Sequence, residues 1–354
     1  MNNNQTCFMR ATLLKRAWRT FGHAPFAPQS RGGIVMVALL LAAANLSAGT
    51  VVNWVSGGPN PFEPAGVGVN GDGYRDGDTI LDAEFNTPCG IAVDITGNFL
   101  LVADRNNNAI RVLDFDNNWT STFLTFIGPN LVTNLFHNPI GVAIDSSYNI
   151  FVLNRGNGNN GNVLEFDSWG DLIATNAANL TNAAGMALDP SDNIYVTIKS
   201  NMLLKITSPG VSSVVATIAN AGTFLQGIVF KHNGLLAVCD SGRNGIYLID
   251  PATGIVTTNA GFHGAGDFIH TANNIDPISQ AKFFQPTGVA ETGDGNLIVT
   301  DFGNHRVKVV TSTTVTNLYG VTSNDWVYLP NRLLNKWLFL RTSVFHDSFG
   351  TFSA

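Results

Sequence analysis

Apolar runs of four to six residues, each closed by a polar turn, recur along most of this 354-residue chain. Between Phe85 and Asp114 the runs are Gly90-Ile91-Ala92-Val93, Phe99-Leu100-Leu101-Val102-Ala103 and Ile110-Arg111-Val112-Leu113, separated by turns at Gly97-Asn98 and Asn106-Asn107-Asn108. Runs this short, bounded by Gly and Asn, predict β-strands, and no segment carries the 3.6-residue apolar period of a helix. The arrangement then returns four more times. Its anchoring glycines are Gly90, Gly141, Gly185, Gly227 and Gly288, spaced by 51, 44, 42 and 61 residues. Two residues before them stand Pro88, Pro139, Ala183, Leu225 and Pro286. Four residues after them come Asp94, Asp145 and Asp189, replaced by Lys231 and Thr292 in the last two copies. Asn98, Asn149, Asn193, Asn233-Gly234 and Asn296 then mark a hairpin turn, because Gly and Asn tolerate the positive φ it demands. The second strands close on Asp104, Asn154, Ile198, Asp240 and Asp301.

The resulting pattern, F-x-x-P-x-G-[IV]-A-x-D-x-x-G-N-[LIF]-x-V-x-D-x-x-N-x-[IR]-[RV], resembles the NHL repeat over about residues 50 to 320, most closely at Phe85–Asp114 and Phe283–Val310. The resemblance is to a bacterial, secreted member. It implies an all-β fold: an NHL-type β-propeller of five recognisable four-stranded blades plus a sixth part-built from the N- and C-termini. Thr50–Val55 resembles the strands that end later copies, such as Val214–Ile218 and Thr314–Leu318, and is expected to close the ring. Residues 49–320 form the propeller on this reading, and 321–354 an atypical tail, a degenerate or truncated last blade. The fold alone does not specify function, since propellers of this type host scaffolds, RNA binders, lyases and, among relatives, lactonases.

Residues 1–48 change the picture of where the chain works. Arg10, Lys15, Arg16, Arg19 and Arg31, with no acidic residue among them, precede the apolar run Ile34–Ala44 and the small-residue exit Leu46-Ser47-Ala48. That order describes a secretory signal peptide, and the run is shorter than the roughly 18 residues of a membrane span. The expectation is a secreted or periplasmic protein beginning near Gly49, membrane-associated only with the leader uncleaved. Without the leader, 14 basic residues face 25 acidic ones, a net charge of −11. No basic stripe is present to neutralise phosphates, which argues against nucleic acid as a partner. Cys89 and Cys239 lie in different copies, so no disulfide is expected between them.

Strand direction places the connections before each copy and the turns after each second strand on one face, called the upper face here. Two long insertions, residues 57–84 and 261–282, open onto it, and both end in Ala-x-Phe shortly before the repeat proline. The candidate binding residues are Arg105, Arg155, Arg243 and His305 in the turns, with the strand-end acids Asp104, Asp240 and Asp301. The candidate metal ligands are Asp72, Asp76 and Asp78 in one insertion and His263, Asp267 and His270 in the other. The first set is oxygen-rich enough to make calcium a possible ligand but lacks the closing acid at the EF-hand spacing, and the second lacks a third His or Cys at zinc spacing. Around the expected channel mouth, Cys89, Ile140, Ala184, Gln226 and Thr287 precede the strand glycines, and none is charged. A ring without an acid or base points to a non-catalytic scaffold with no cofactor, recognising a protein, peptide or glycan through its upper loops. The alternative is a divalent-metal hydrolase or lyase of the gluconolactonase or peptidyl-hydroxyglycine lyase kind, with its ligands on the loops.

Overall fold

The computed structural model describes residues 74–79, 83–94, 96–198, 200–266, 275–304 and 306–320, together with the backbone of 341–342. The expected leader and the strand Thr50–Val55 lie outside these residues. The described chain forms five blade sheets of a propeller and one small hairpin of Thr125–Ile127 with Asn130–Val132, and its only helical turns are Arg105–Asn107 and Phe302–Asn304. The innermost strands are Pro88–Val93, Pro139–Ile144, Ala183–Leu188, Leu225–Phe230 and Pro286–Glu291, one for each anchoring glycine. The second, third and outer strands follow in chain order, as in Ile194–Ile198, Met202–Ser208 and Val211–Thr217 of blade 3. No described helix is long and apolar enough to cross a membrane.

Each blade is buried on both faces, which is why its strands read as continuous apolar runs instead of alternating ones. Leu101 and Val112 of blade 1 meet Val152 and Phe166 of blade 2, and Leu153 and Val163 of blade 2 meet Met186 and Val196 of blade 3. Tyr195 packs with Val238 and Tyr247 between blades 3 and 4, and Cys239 and Ile246 with Val289 and Val299 between blades 4 and 5. Both cysteines are buried and free. The other face of blade 1 gathers Ile91, Leu100, Val102 and Leu113 against Ala83 and Phe85.

The anchoring glycines lie where innermost strands approach most closely. A Cβ on Gly90 would sit 2.7 Å from the Gly141 Cα, and one on Gly227 would sit 2.5 Å from the Thr287 carbonyl oxygen and 2.9 Å from the Gly288 Cα. One on Gly185 would stand 2.6 Å from the Gln226 carbonyl oxygen. Glycine at these steps thus answers to backbone from the next blade. All five innermost strands also slip register just after their first residue, as between Pro88 and Ile91 and between Pro286 and Gly288. The proline stands at that first residue, where its missing N–H removes nothing from the ladder beyond the slip.

The structure departs from the sequence expectations at both long insertions and at the tail. Gly77–Asp78 adds an outermost strand to blade 1, and Ile275–Pro277 adds one to blade 5. The two insertions therefore run partly down the rim, covering edges that would otherwise offer unpaired backbone. Among the tail residues, Arg341–Thr342 pairs in parallel with Gly90–Ile91 on the inner side of blade 1. The remainder of the expected sixth blade lies outside the described residues.

At the lower ends of the innermost strands, the repeat acids cap hairpins. Asp189 accepts from the Ser191 and Asn193 N–H groups at 2.9 and 3.0 Å, from Asn193 Nδ2 at 2.8 Å and from the Tyr195 hydroxyl at 3.1 Å. Asp145 makes the matching bonds to Ser147 and Asn149. Lys231, standing where an acid would cap, instead sends its ammonium into blade 5, to Glu291 at 2.7 Å and the Gly295 carbonyl at 2.8 Å. Replacing Asp189 by Ala orphans the hydroxyl of a fully buried tyrosine together with two amides, so it should cost about 2–3 kcal/mol. Asp294→Ala, in the exposed turn of blade 5, should cost under about 1 kcal/mol. Denaturant midpoints of the two variants measure the difference.

Candidate functional site

The upper rim is built by the same device in four blades. The residue that closes the second strand reaches back to an amide just before the innermost strand: Asp104 Oδ1 to the Asn86 N–H at 2.7 Å, Asn154 Oδ1 to His137 at 3.0 Å, Asp240 Oδ1 to Phe224 at 2.9 Å and Asp301 Oδ1 to Phe284 at 2.7 Å. Blade 3, with Ile198 in that place, uses Thr197 instead, whose hydroxyl donates to the Gln226 carbonyl of blade 4 at 2.5 Å. The backbone just before the innermost strand is left-handed in four blades, at Thr87, Asn138, Asn182 and Gln285, with φ between 51° and 55°. Non-glycine residues rarely adopt that conformation, so in blades 1, 2 and 5, where both features occur, the pinned amides hold a turn the chain would not choose freely. Neighbouring blades are stitched as well. Asn108 Oδ1 accepts from the Asn138 N–H of blade 2, and Asn244 Oδ1 from the Gln285 N–H of blade 5, both at 2.8 Å.

Asp104, Asp240 and Asp301 were expected among the groups open to a partner. All three are completely buried, and their oxygens face inward. Besides its amide, Asp104 takes Asn107 Nδ2 at 2.8 Å and Arg111 at 3.3 Å, while Asp301 takes Asn304 Nδ2 and Lys308 Nζ, each at 2.7 Å. Burial pushes the Asp104 carboxyl up to about 6, against the opposing pull of Asn107, the Asn86 amide and Arg111. The group is therefore ionised at neutral pH and pairs with the arginine. Burial likewise raises Asp301, opposed first by the Lys308 charge.

The cations in these pairs were not anticipated. Arg111 is fully buried in the third strand of blade 1, its guanidinium 5.0 Å from the Phe85 ring centroid and 5.1 Å from that of Tyr74. It donates to Asp76 at 2.7 Å and to the Arg75 and Glu84 carbonyls, each at 2.6 Å. Lys308 repeats the arrangement in blade 5, over Phe283 at 4.9 Å and donating to the Lys282 carbonyl at 2.8 Å. The signal was present in the sequence: a basic residue inside an apolar strand, seven positions after the strand-end acid, in the two copies that also carry Ala-x-Phe.

These partners also account for two of the candidate metal ligands. Asp76 is bound to Arg111 and to the Thr122 hydroxyl, and Asp78 accepts from Asn118 Nδ2 at 2.7 Å. His263 is exposed, and Asp72, Asp267 and His270 lie outside the described residues. Among the described residues no three metal-binding side chains come together. Of the candidate donors, Arg243 stacks on Phe262 at 5.5 Å and donates to the Tyr247 hydroxyl at 2.9 Å. Arg105 and Arg155 are half-buried at the upper ends of blades 1 and 2, and His305 is outside the described residues. The five residues before the strand glycines, Cys89 through Thr287, are all buried.

Removing Asp104 should leave Arg111 half-neutralised and the Asn86 amide without its acceptor. Asp104→Ala is expected to cost about 3 kcal/mol, and Asp104→Ala with Arg111→Met to cost at least about 1 kcal/mol less than the two singles together. Guanidinium unfolding of the four proteins in the cycle tests the coupling; simple additivity would contradict it.

Comparison with known proteins agrees with this architecture. The NHL repeat family matches residues 85–113 and 283–310, the two copies with the buried cation. No curated protein matches the sequence. An auxiliary nutrient binding protein from Bacteroides thetaiotaomicron superposes with a TM-score of 0.56 at 15% identity, over 71% of this chain and 61% of that one. A streptogramin B lyase gives 0.50 at 15% identity over 68% and 71%, and a nidogen/laminin complex gives 0.50 at 17% identity over 65% and 77%. At such identities the likeness is one of fold, and it spans proteins named for binding and for catalysis. Two copies that match the NHL repeat and three more that share their anchoring glycine and register slip make this chain a β-propeller that carries NHL repeats.

Proposed function

We propose that the chain is a secreted or periplasmic, non-catalytic scaffold that recognises a protein, peptide or glycan with the turns of its upper face. The observation that carries this reading is the unequal treatment of charge on that face. Asp104, Asp240 and Asp301 are buried against amides of their own blades, and Asp104 and Asp301 also against cations. A carboxylate so engaged is poorly placed to take a proton from a substrate. Arg105 and Arg155, in contrast, have no carboxylate partner among the described residues. The chemistry left open at the rim is therefore that of recognition, and the reading calls for no resident cofactor. The basic-then-apolar leader supports export, and the net charge of −11 without it disfavours nucleic acid.

Peptide and glycan arrays probed with the leaderless chain test the proposal. Bound ligands should lose about tenfold or more in affinity with the Arg105→Ala, Arg155→Ala, Arg243→Ala triple variant. Ser146→Ala with Ser147→Ala, on the exposed lower turn of blade 2, should leave them unchanged. The reverse pattern would move the site to the lower face. Turnover of a lactone or a peptidyl-hydroxyglycine with stoichiometric divalent metal would replace the scaffold by an enzyme.

A further inference from the structure

Among the described residues, the buried cations are answered by carboxylates. Arg111 has Asp104 and Asp76, Lys231 has Glu291, and Lys308 has Asp301. Arg105 and Arg155 have neither a carboxylate nor a side-chain hydrogen bond among the described residues, and they stand at the same step of adjacent blades. Arg105 opens the helical turn after the second strand of blade 1, and Arg155 holds the same step in blade 2. The two blades are tied at this level by the bond from the Asn138 N–H to Asn108, and the Arg155 N–H itself donates to the Asn138 carbonyl at 3.0 Å.

The surroundings of the pair are neutral. Arg155 titrates below the ordinary arginine range, first because of its burial and second because of the Arg105 charge. Arg105 Nε is buried without a hydrogen-bond partner, and no carboxylate reaches either side chain among the described residues. A buried donor left unmade costs on the order of 1–3 kcal/mol, and two like charges held together add to that. In a chain so rich in acids, leaving both uncompensated makes sense where a ligand supplies the missing charge.

We propose that Arg105 and Arg155 form an oxyanion site at the upper rim between blades 1 and 2, which takes a carboxylate or phosphate group of the recognised ligand. The planar fork of a guanidinium matches two oxygens of such a group, and a second guanidinium from the next blade completes its charge. The buried Nε gains the acceptor it lacks. The site rests on the upper-face reading and narrows it, since an acidic sugar, a peptide carboxyl terminus and a phosphorylated ligand all share this chemistry.

The test is a titration of the leaderless chain with galacturonate, N-acetylalanine, acetate and inorganic phosphate, followed by calorimetry and by the arginine Nε–H resonances in nitrogen-15 NMR. Saturable one-site binding of at least one probe, shifting an Arg105 resonance, is expected. Arg105→Gln and Arg155→Gln should each weaken it by about tenfold, and the double variant should abolish it. Arg155→Lys, which keeps the charge but not the fork, should fall between. The probe bound best identifies the source, sugar acid, peptide terminus or phosphate. No saturation by any of the four, or unchanged affinity in the folded double variant, overturns the proposal. Should Arg105→Gln fail to fold, Arg155→Gln decides alone. If an array ligand still binds the double variant but is lost in Arg243→Ala, the oxyanion site fails while the upper-face reading stands.

Discussion

Adjacent blades meet at the centre backbone to backbone. Where Gly90 meets Gly141, Gly227 meets Thr287 and Gly288, and Gly185 meets Gln226, the innermost strands of adjacent blades are too near for a single added carbon. That proximity fixes the radius of the inner ring, and the radius fixes how the sheets fan outward and how much side chain fits between them. The layers that follow are of ordinary interior type, with Val, Ile, Leu and Phe from both blades interdigitated. Their apolar burial supplies most of the driving force, but it is the glycine contacts that let them meet at this spacing.

Ring geometry also explains the polar chemistry. Strands that converge at the centre must begin abruptly, and in four of the five blades the start is a left-handed residue followed by a register slip. Such a start leaves amides that no ladder satisfies, and the strand-end Asp or Asn takes them. In blades 1 and 5 the acid is in turn balanced by a buried cation lying on the Phe of the insertion. A single unit thus joins the insertion, the first turn, the second strand and the third strand. The Ala-x-Phe and the basic strand residue therefore occur in the same two copies.

Much of this could be read from the residues. The five innermost strands, the hairpin turns, the free cysteines and the upper position of Arg105 and Arg155 follow from short apolar runs, Gly-Asn turns and strand direction. The inward turn of Asp104, Asp240 and Asp301 did not, because an acid at a strand end looks the same in sequence whether it faces water or an amide. Nor did the rim strands Gly77–Asp78 and Ile275–Pro277, which are two and three residues long and carry almost no apolar signal. Lys231 appeared to be drift from an acid; only the arrangement in space reveals Glu291 of the next blade beside it. Arg111 and Lys308 were visible as basic residues in apolar strands, but their meaning depends on distant partners such as Asp76, Phe85 and Phe283 as well as on the acid seven positions before each.

The dependence of the whole on the glycine contacts has a direct measurement. Gly90→Ala and Gly227→Ala each place a carbon against backbone that cannot swing aside, whereas Gly293→Ala places one in open space. Equilibrium unfolding in guanidinium should show the first two losing about 2 kcal/mol or more, with the third within about 0.5 kcal/mol of the parent. Equal stability of all three variants would mean that the inner strands do not touch at the repeat glycines, and the account of the ring would be wrong.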